Sequence, residues 1–419
     1  MDQIPSPRFD SGERLGGGST SRASKQSRRG LDWFVFFVAD VQTGFGPFVA
    51  VYLTTQKWTQ TDIGLILTIG GLIALVGQIP GGAILDAVKS PKLAAGLSIV
   101  MIGVSAFMLA LWPIFIVVLA SRVLQACASC VLGPAIAALT LGLVDRSEIG
   151  ERLGRNASFA SIGTGLAAAG MGACGYYLSN QAVFYVTAGF VAPAVIALLQ
   201  IRSTEIDAAR AHGGGQMEPL NIATGLRLLR NRSLLIFAIC VLLFHLANAA
   251  MLPLMASALT LRSSESSAAL IAIAMVVPQI IVAVLSPFVG RKSEVWGRRP
   301  LLIMGFAALM IRGVLFAYII APPLVIAAQV LDGLSAAVLG VLVPLSIADI
   351  TRNTGHFNLT LGIVGCAMGI GASISTTLAG FLSDRFTTHV TFLCLGFIAA
   401  IGLAAVWMAM PETRPERSR

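Results

Sequence analysis

Charge is scarce in this sequence: Asp, Glu, Lys and Arg make up 12% of 419 residues, against 56% apolar. A soluble domain carries about 25% charged residues, so an ordinary globular protein is excluded. Cysteine is sparse too. All six, at 127, 130, 174, 240, 366 and 394, fall inside apolar runs, which leaves no disulfide framework. Cys127 and Cys130 form a C-x-x-C, but at membrane depth, where small-residue packing is the expected use. There is no Walker phosphate loop, no H-E-x-x-H and no Ser-Lys or Asp-Asp arrangement poised for hydrolysis, so neither enzyme chemistry, a metal, a cofactor nor ATP is expected. The alternation of a membrane strand is missing from runs such as Leu234–Phe244 and Leu393–Met410, which excludes a β-barrel. A signal peptide is not expected either, because the first apolar run contains Asp40 and is followed by Gln56 and Lys57.

What is present is apolar length. A helix needs about 20 apolar residues to cross a bilayer, and the chain offers such runs nearly end to end. Breaks predict helices at 31–53, 62–84, 92–111, 113–142, 150–178 and 181–201, then at 233–259, 266–290, 299–320, 323–350, 356–383 and 387–410. Two hairpins are tight and rest on Trp112-Pro113 and Pro322-Pro323. Of the 29 Lys and Arg, the odd-numbered loops hold Lys57, Arg262 and Arg385, and the spans hold Arg122 and Arg312. The rest lie in the tails and even-numbered loops, which places both termini in the cytoplasm. The net charge of +9 follows from this topology and does not call for nucleic acid. Residues 1–30 read as a disordered basic tail able to touch anionic lipid, 202–232 as a linker and 411–419 as a second tail.

The chain repeats itself. Val123 to Gly133 aligns without gaps on Val330 to Gly340, and a similar offset brings Gly82 and Asp86 onto Gly290 and Glu294, and Gly46-Pro47 onto Leu252-Pro253. It also pairs Asn156 with Asn358 and Gly163 with Gly365. Two six-helix halves, 31–201 and 233–410, follow, related by a pseudo-two-fold axis along the membrane normal with a solute site between them.

These residues resemble the major facilitator superfamily, whose G-x-x-x-D-R-x-G-R-R pattern lies in the loops after helices two and eight. Gly290, Glu294, Gly297, Arg298 and Arg299 match the second copy, with Val295 for Arg. Gly82 and Asp86, with Lys89 and Lys92, match the first, with Ala87 for Arg and no second glycine. Glu151 to Asn156 is similar to another cytoplasmic segment of the family. Arg122, Gln125 and Ala126 resemble the Arg-x-x-Gln-Gly of proton-coupled members. The resemblance implies an all-α membrane fold of twelve helices in two bundles, with the loop motifs latching one access state. Helix five lacks the Gly-Pro of drug-proton antiporters, so export is only weakly favoured over import.

Five titratable side chains lie roughly 14–20 Å into their spans: Asp40, Arg122, His245, Arg312 and Asp332. Charge at that depth costs a few kcal/mol and calls for a partner or a wet cavity. Asp40 with Arg122 and Arg312 with Asp332 would neutralise the two halves, leaving His245 to titrate or to bond a neighbouring helix. Protonation of Asp40 would then release Arg122. Gln42, Gln78, Gln125, Asn248 and Gln279 add neutral polar groups, and Phe45 an aromatic wall. The expectation is a monomeric inner-membrane carrier of a small organic solute, driven by protons. A transporter-like receptor without turnover and an importer of sugar or organic acid are the alternatives.

Overall fold

The structure, a computed structural model, describes residues 23–45, 47–214, 228, 230–262, 267–319 and 321–414. The expectations for residues 1–22, 215–227 and 415–419 lie outside the described residues. All regular structure among the described residues is helical. The first six spans are α1 (Lys25–Thr55), α2 (Thr61–Val76, bent by 46° into Gln78–Ala87), α3 (Pro91–Leu111), α4 (Phe115–Leu143), α5 (Arg146–Tyr177) and α6 (Ala182–Leu199). The second six are α7 (Arg232–Ala258), α8 (Leu270–Trp296), α9 (Arg298–Tyr318), α10 (Pro322–Ile350), α11 (Phe357–Arg385) and α12 (Thr388–Ala409).

Local chemistry accounts for the ends. α1 starts at Lys25, ahead of the expected residue 31, because the Ser24 hydroxyl accepts from the Ser27 N–H at 3.2 Å and caps it. Pro322 and Pro323 open α10 where their missing N–H groups cost nothing. The α2 bend falls at Gly77, three residues before Pro80, whose ring removes the hydrogen bond to the carbonyl of Val76. Cys130 packs into that bend against Gly77 and Gly81, whereas Cys127 is exposed.

The two halves share one packing plan. α1 lies on α5 and α6, and α3 on α4; α7 likewise lies on α11 and α12, and α9 on α10. The bundles meet through α2 on α11 and α5 on α8. Lipid offers no hydrophobic drive for such contacts, so close backbone approach has to supply the attraction. A Cβ on Gly82 would strike the Asn358 carbonyl and sit 3.2 Å from Leu359 Cα. A Cβ on Gly290 would strike the Gly150 carbonyl and sit 3.2 Å from Glu151 Cα. Gly362 on Gln78 and Gly154 on Ser286 form the same matched pair one turn deeper. These contacts correct the repeat register: one shift carries Gly82 to Gly290, Gly150 to Asn358 and Gly154 to Gly362, so Asn358 corresponds to Gly150 and not to Asn156.

Both described chain ends, Ala23 and Arg414, lie on one side with the Arg-rich loops, here termed the basic face. The bundles touch from this face to mid-depth. Of the glycine contacts between bundles, the one farthest from this face is Leu75 with Gly369 on α2 and Gly165 with Gln279 on α5. Further on, a Cβ at Gly71 or Gly172 would meet nothing within 4 Å, so the bundles part toward the opposite, far face.

Candidate substrate cavity and its gate

Between the bundles lies a cavity of about 440 Å³, walled by α1, α2, α4 and α5 on one side and by α10 and α11 on the other. Its described lining contains no charged side chain; the polar groups are Gln42, Gln78, Thr140 and Asn156. Two of these are already committed. Asn156 Oδ1 accepts from Arg152 at 2.7 Å and its Nδ2 donates to Thr140 Oγ1 at 2.7 Å. The side chains of Gln42 and Gln78 have no hydrogen bond among the described residues, so each offers one donor group and one acceptor to a solute. The remaining expected cavity residues lie elsewhere. Gln125 donates to Ser129 on its own helix at 3.0 Å, and Gln279 packs at the α5–α8 contact. Asn248 accepts from Arg312, and Phe45 packs on Phe184 of α6 with ring centroids 6.4 Å apart.

The mid-depth charges divide differently from the expected two pairs. Arg312 is fully buried and pairs with Asp332, with its guanidinium also on Asn248 and on Met251 Sδ. Asp40 and Arg122 form no pair. Arg122 lies against Gly70 and over the Phe45 ring, 5.7 Å from its centroid, and its Nε and Nη1 are buried without a partner. Asp40 instead faces a cleft between α5 and α6 and has no hydrogen bond or ion pair among the described residues. His245 turns back on its own helix, with Nδ1 2.9 Å from the Val241 carbonyl.

On the basic face, Asp86 at the end of α2 caps the first turn of α11 in the other bundle. One oxygen accepts from Asn358 N–H at 3.2 Å and Nδ2 at 2.8 Å, the other from Leu359 N–H at 2.7 Å. A helix start has unpaired N–H groups and a positive dipole end, so a carboxylate there is doubly favoured. Glu294, its counterpart on α8, accepts from Arg298 at 3.1 Å. Arg298 also holds Asp349 of α10 at 2.9 Å, and Asp349 reaches across to Arg146 at 3.7 Å. Gly297 takes φ 94°, a left-handed turn that frees the N–H groups of Arg298 and Arg299 to be capped by Glu412. Arg299 further bonds the Trp407 carbonyl.

The linker joins this gate. Asp207 starts a short helix, Ala208–Ala211, by accepting from Arg210 N–H at 3.0 Å, and Arg210 reaches Asp145 at 2.7 Å. The Ala211 carbonyl accepts from Asn358 Nδ2 at 3.4 Å, and His212, 1% exposed, lies 3.6 Å from Asp86.

The sequence pattern of the Major Facilitator Superfamily matches residues 33–262 and again 237–419. The chain belongs to the major facilitator superfamily. It is similar to an uncharacterized MFS-type transporter of Mycobacterium tuberculosis, in strains CDC 1551 / Oshkosh and H37Rv, with 36% identity over 393 residues, 92% of this chain and 93% of the relative. Among solved structures it is similar to the fucose:proton symporter of E. coli, at TM-score 0.71 and 15% identity over 90% of this chain and 97% of that one. A proton:xylose symporter bound to 6-bromo-6-deoxy-D-glucose superposes at TM-score 0.66 and 14% identity, over 93% and 95%. At such identities the likeness establishes the fold.

In this superfamily member the two loop motifs therefore sit at the seam between bundles, and the chain is a membrane transporter. Several gate and anchor residues carried no motif. Asp32, 2% exposed, holds Arg152 at 2.6 Å and Arg155 at 2.7 Å, and its place at the edge of the basic tail hid it. Glu412 read as tail, His212 as linker and Asp349 as the end of a membrane helix; only their contacts reveal them.

Proposed function

We propose that the chain is a proton-coupled carrier of a small, uncharged organic solute, bound between the bundles and moved by alternating access. The cavity carries the proposal: its described walls bear no charge and present two uncommitted amides, Gln42 and Gln78, so a solute with hydroxyl, carbonyl or amide groups is matched and an ion is not. The excess of Lys and Arg on the basic face supports its assignment as the cytoplasmic one, with both described chain ends inside. The described state then opens outward, and export is the favoured direction.

Coupling belongs to Asp40 and Arg122, the two mid-depth charges with no ion pair or hydrogen bond among the described residues. α1 joins the coupling group to the cavity. Trp33, Phe36, Phe37 and Asp40 recur on one side of the helix, and Val35, Val38 and Gln42 on the other, so a proton on Asp40 changes how α1 seats while Gln42 holds solute.

The test is proton movement in proteoliposomes on adding solutes from a panel of sugars, organic acids, neutral amides and cationic drugs. Neutral solutes should evoke proton flux, lost in Asp40→Asn and Arg122→Ala. Flux evoked only by charged solutes, or unchanged in both variants, contradicts the reading.

A further inference from the structure

We propose that a pocket between α1 and α5 at the basic face binds the phosphate headgroup of an anionic phospholipid, whose acyl chain lies in the apolar groove below. The pocket has a volume of about 280 Å³ and is lined by α1, α5 and Val144. Five of its side chains are basic and three acidic. Two of the acids are committed: Asp32 takes Arg152 at 2.6 Å and Arg155 at 2.7 Å, and Glu148 takes Arg28 at 2.5 Å. Lys25 and Arg29 make no hydrogen bond or ion pair among the described residues. Arg155 gives Nε and Nη2 to Asp32 and keeps Nη1. Glu151 is the acid that remains, so the described lining holds an excess of two positive charges.

The groove continues from these cations toward mid-depth. Arg29, Trp33 and Phe36 follow one another at helical spacing along α1, and Arg155, Phe159, Ile162 and Leu166 along α5. Trp33 joins the two stripes, its ring centroid 5.4 Å from Phe36 and 6.0 Å from Phe159. Trp33 is 47% exposed and Leu166 61%, and none of these residues lines the central cavity, so the groove opens toward lipid. Unpaired cations at its headgroup end and aromatic walls toward the acyl region select an anionic amphiphile. A phosphodiester fits, because guanidinium and ammonium donors match its two free oxygens. Trp33, about 6 Å below Arg29 along the helix, adds an indole N–H with no hydrogen bond among the described residues, at the depth of the glycerol esters. A zwitterionic lipid would bring its own cation into a pocket that is already positive.

Lipid binding here is read without solute or a proton gradient. Full-length protein keeps Trp33 as its sole tryptophan, Trp58, Trp112, Trp296 and Trp407 being replaced by Phe. It is reconstituted in phosphatidylcholine vesicles with increasing phosphatidylglycerol brominated near the top of its acyl chains, and Trp33 quenching is followed. Phosphatidylcholine brominated at the same carbons is the reference. The anionic lipid should reach half-quenching at a mole fraction about fivefold lower or less. Lys25→Gln with Arg29→Gln should abolish this preference and leave quenching by the zwitterionic lipid unchanged, which shows the groove intact. Arg291→Gln with Lys292→Gln removes two basic side chains of α8 near the same face and should leave the preference as it was. Soluble glycerol phosphate at millimolar concentration should not restore Trp33 emission. Equal quenching by the two lipids, a preference that survives Lys25→Gln with Arg29→Gln, its equal loss in the α8 variant, or displacement by glycerol phosphate would each overturn the proposal.

Discussion

The Asp86 carboxylate accepts both nitrogens of Asn358, so one bundle supplies the helix cap that the first turn of the other bundle lacks. The bond is made only while the basic face is shut. It therefore contributes to closure, and a charge-assisted bond of this kind is worth about 1.5–3 kcal/mol. In Asp86→Ala, on a background without native cysteines, alkylation of Val38→Cys from the basic face should rise roughly tenfold or more. No change would mean that the cap does not hold the gate.

The glycine contacts give a second prediction. Gly290→Val puts side-chain atoms where the Gly150 backbone lies, and the bundles cannot come together there. Transport should fall at least tenfold. Gly380→Ala, on an open part of α11 where a Cβ meets nothing within 4 Å, should transport like the parent.

Gln42 and Gln78 bond nothing in the described protein, so their loss should spare the fold. Gln42→Ala and Gln78→Ala should each weaken solute binding by about tenfold, one hydrogen bond at ~1–1.5 kcal/mol, with unchanged thermal unfolding. Equal loss of stability and binding would instead make them structural.

Arg312 and Asp332 should behave as a buried pair. Asp332→Leu alone strands a guanidinium 1% exposed and should cost about 3–5 kcal/mol, seen as a lower unfolding temperature. The double variant Arg312→Met with Asp332→Leu should recover most of it.

Much of this was legible in the sequence because lipid is a strict solvent. Apolar length marks the spans, Pro322-Pro323 and Trp112-Pro113 mark the hairpins, and Gly82, Asp86, Gly290 and Glu294 mark the seam. Rotation about each helix axis was not legible. A run that is apolar on all sides carries no periodicity, so nothing in the sequence shows that Asp40 turns away from Arg122 while Arg312 meets Asp332. The register between α5 and α11 slipped for a related reason: glycine recurs so often in both helices that several alignments look alike, and only backbone contact selects Gly154 with Gly362.

The central claim is that the closed basic face is one of two states between which the carrier alternates. Spin labels at Ser147 and Arg352, exposed positions on opposite bundles at that face, report it by double electron-electron resonance. The account predicts a short distance in the resting protein and a second, longer population that grows with transported solute and in Asp86→Ala. A single short distance under every condition would contradict alternating access.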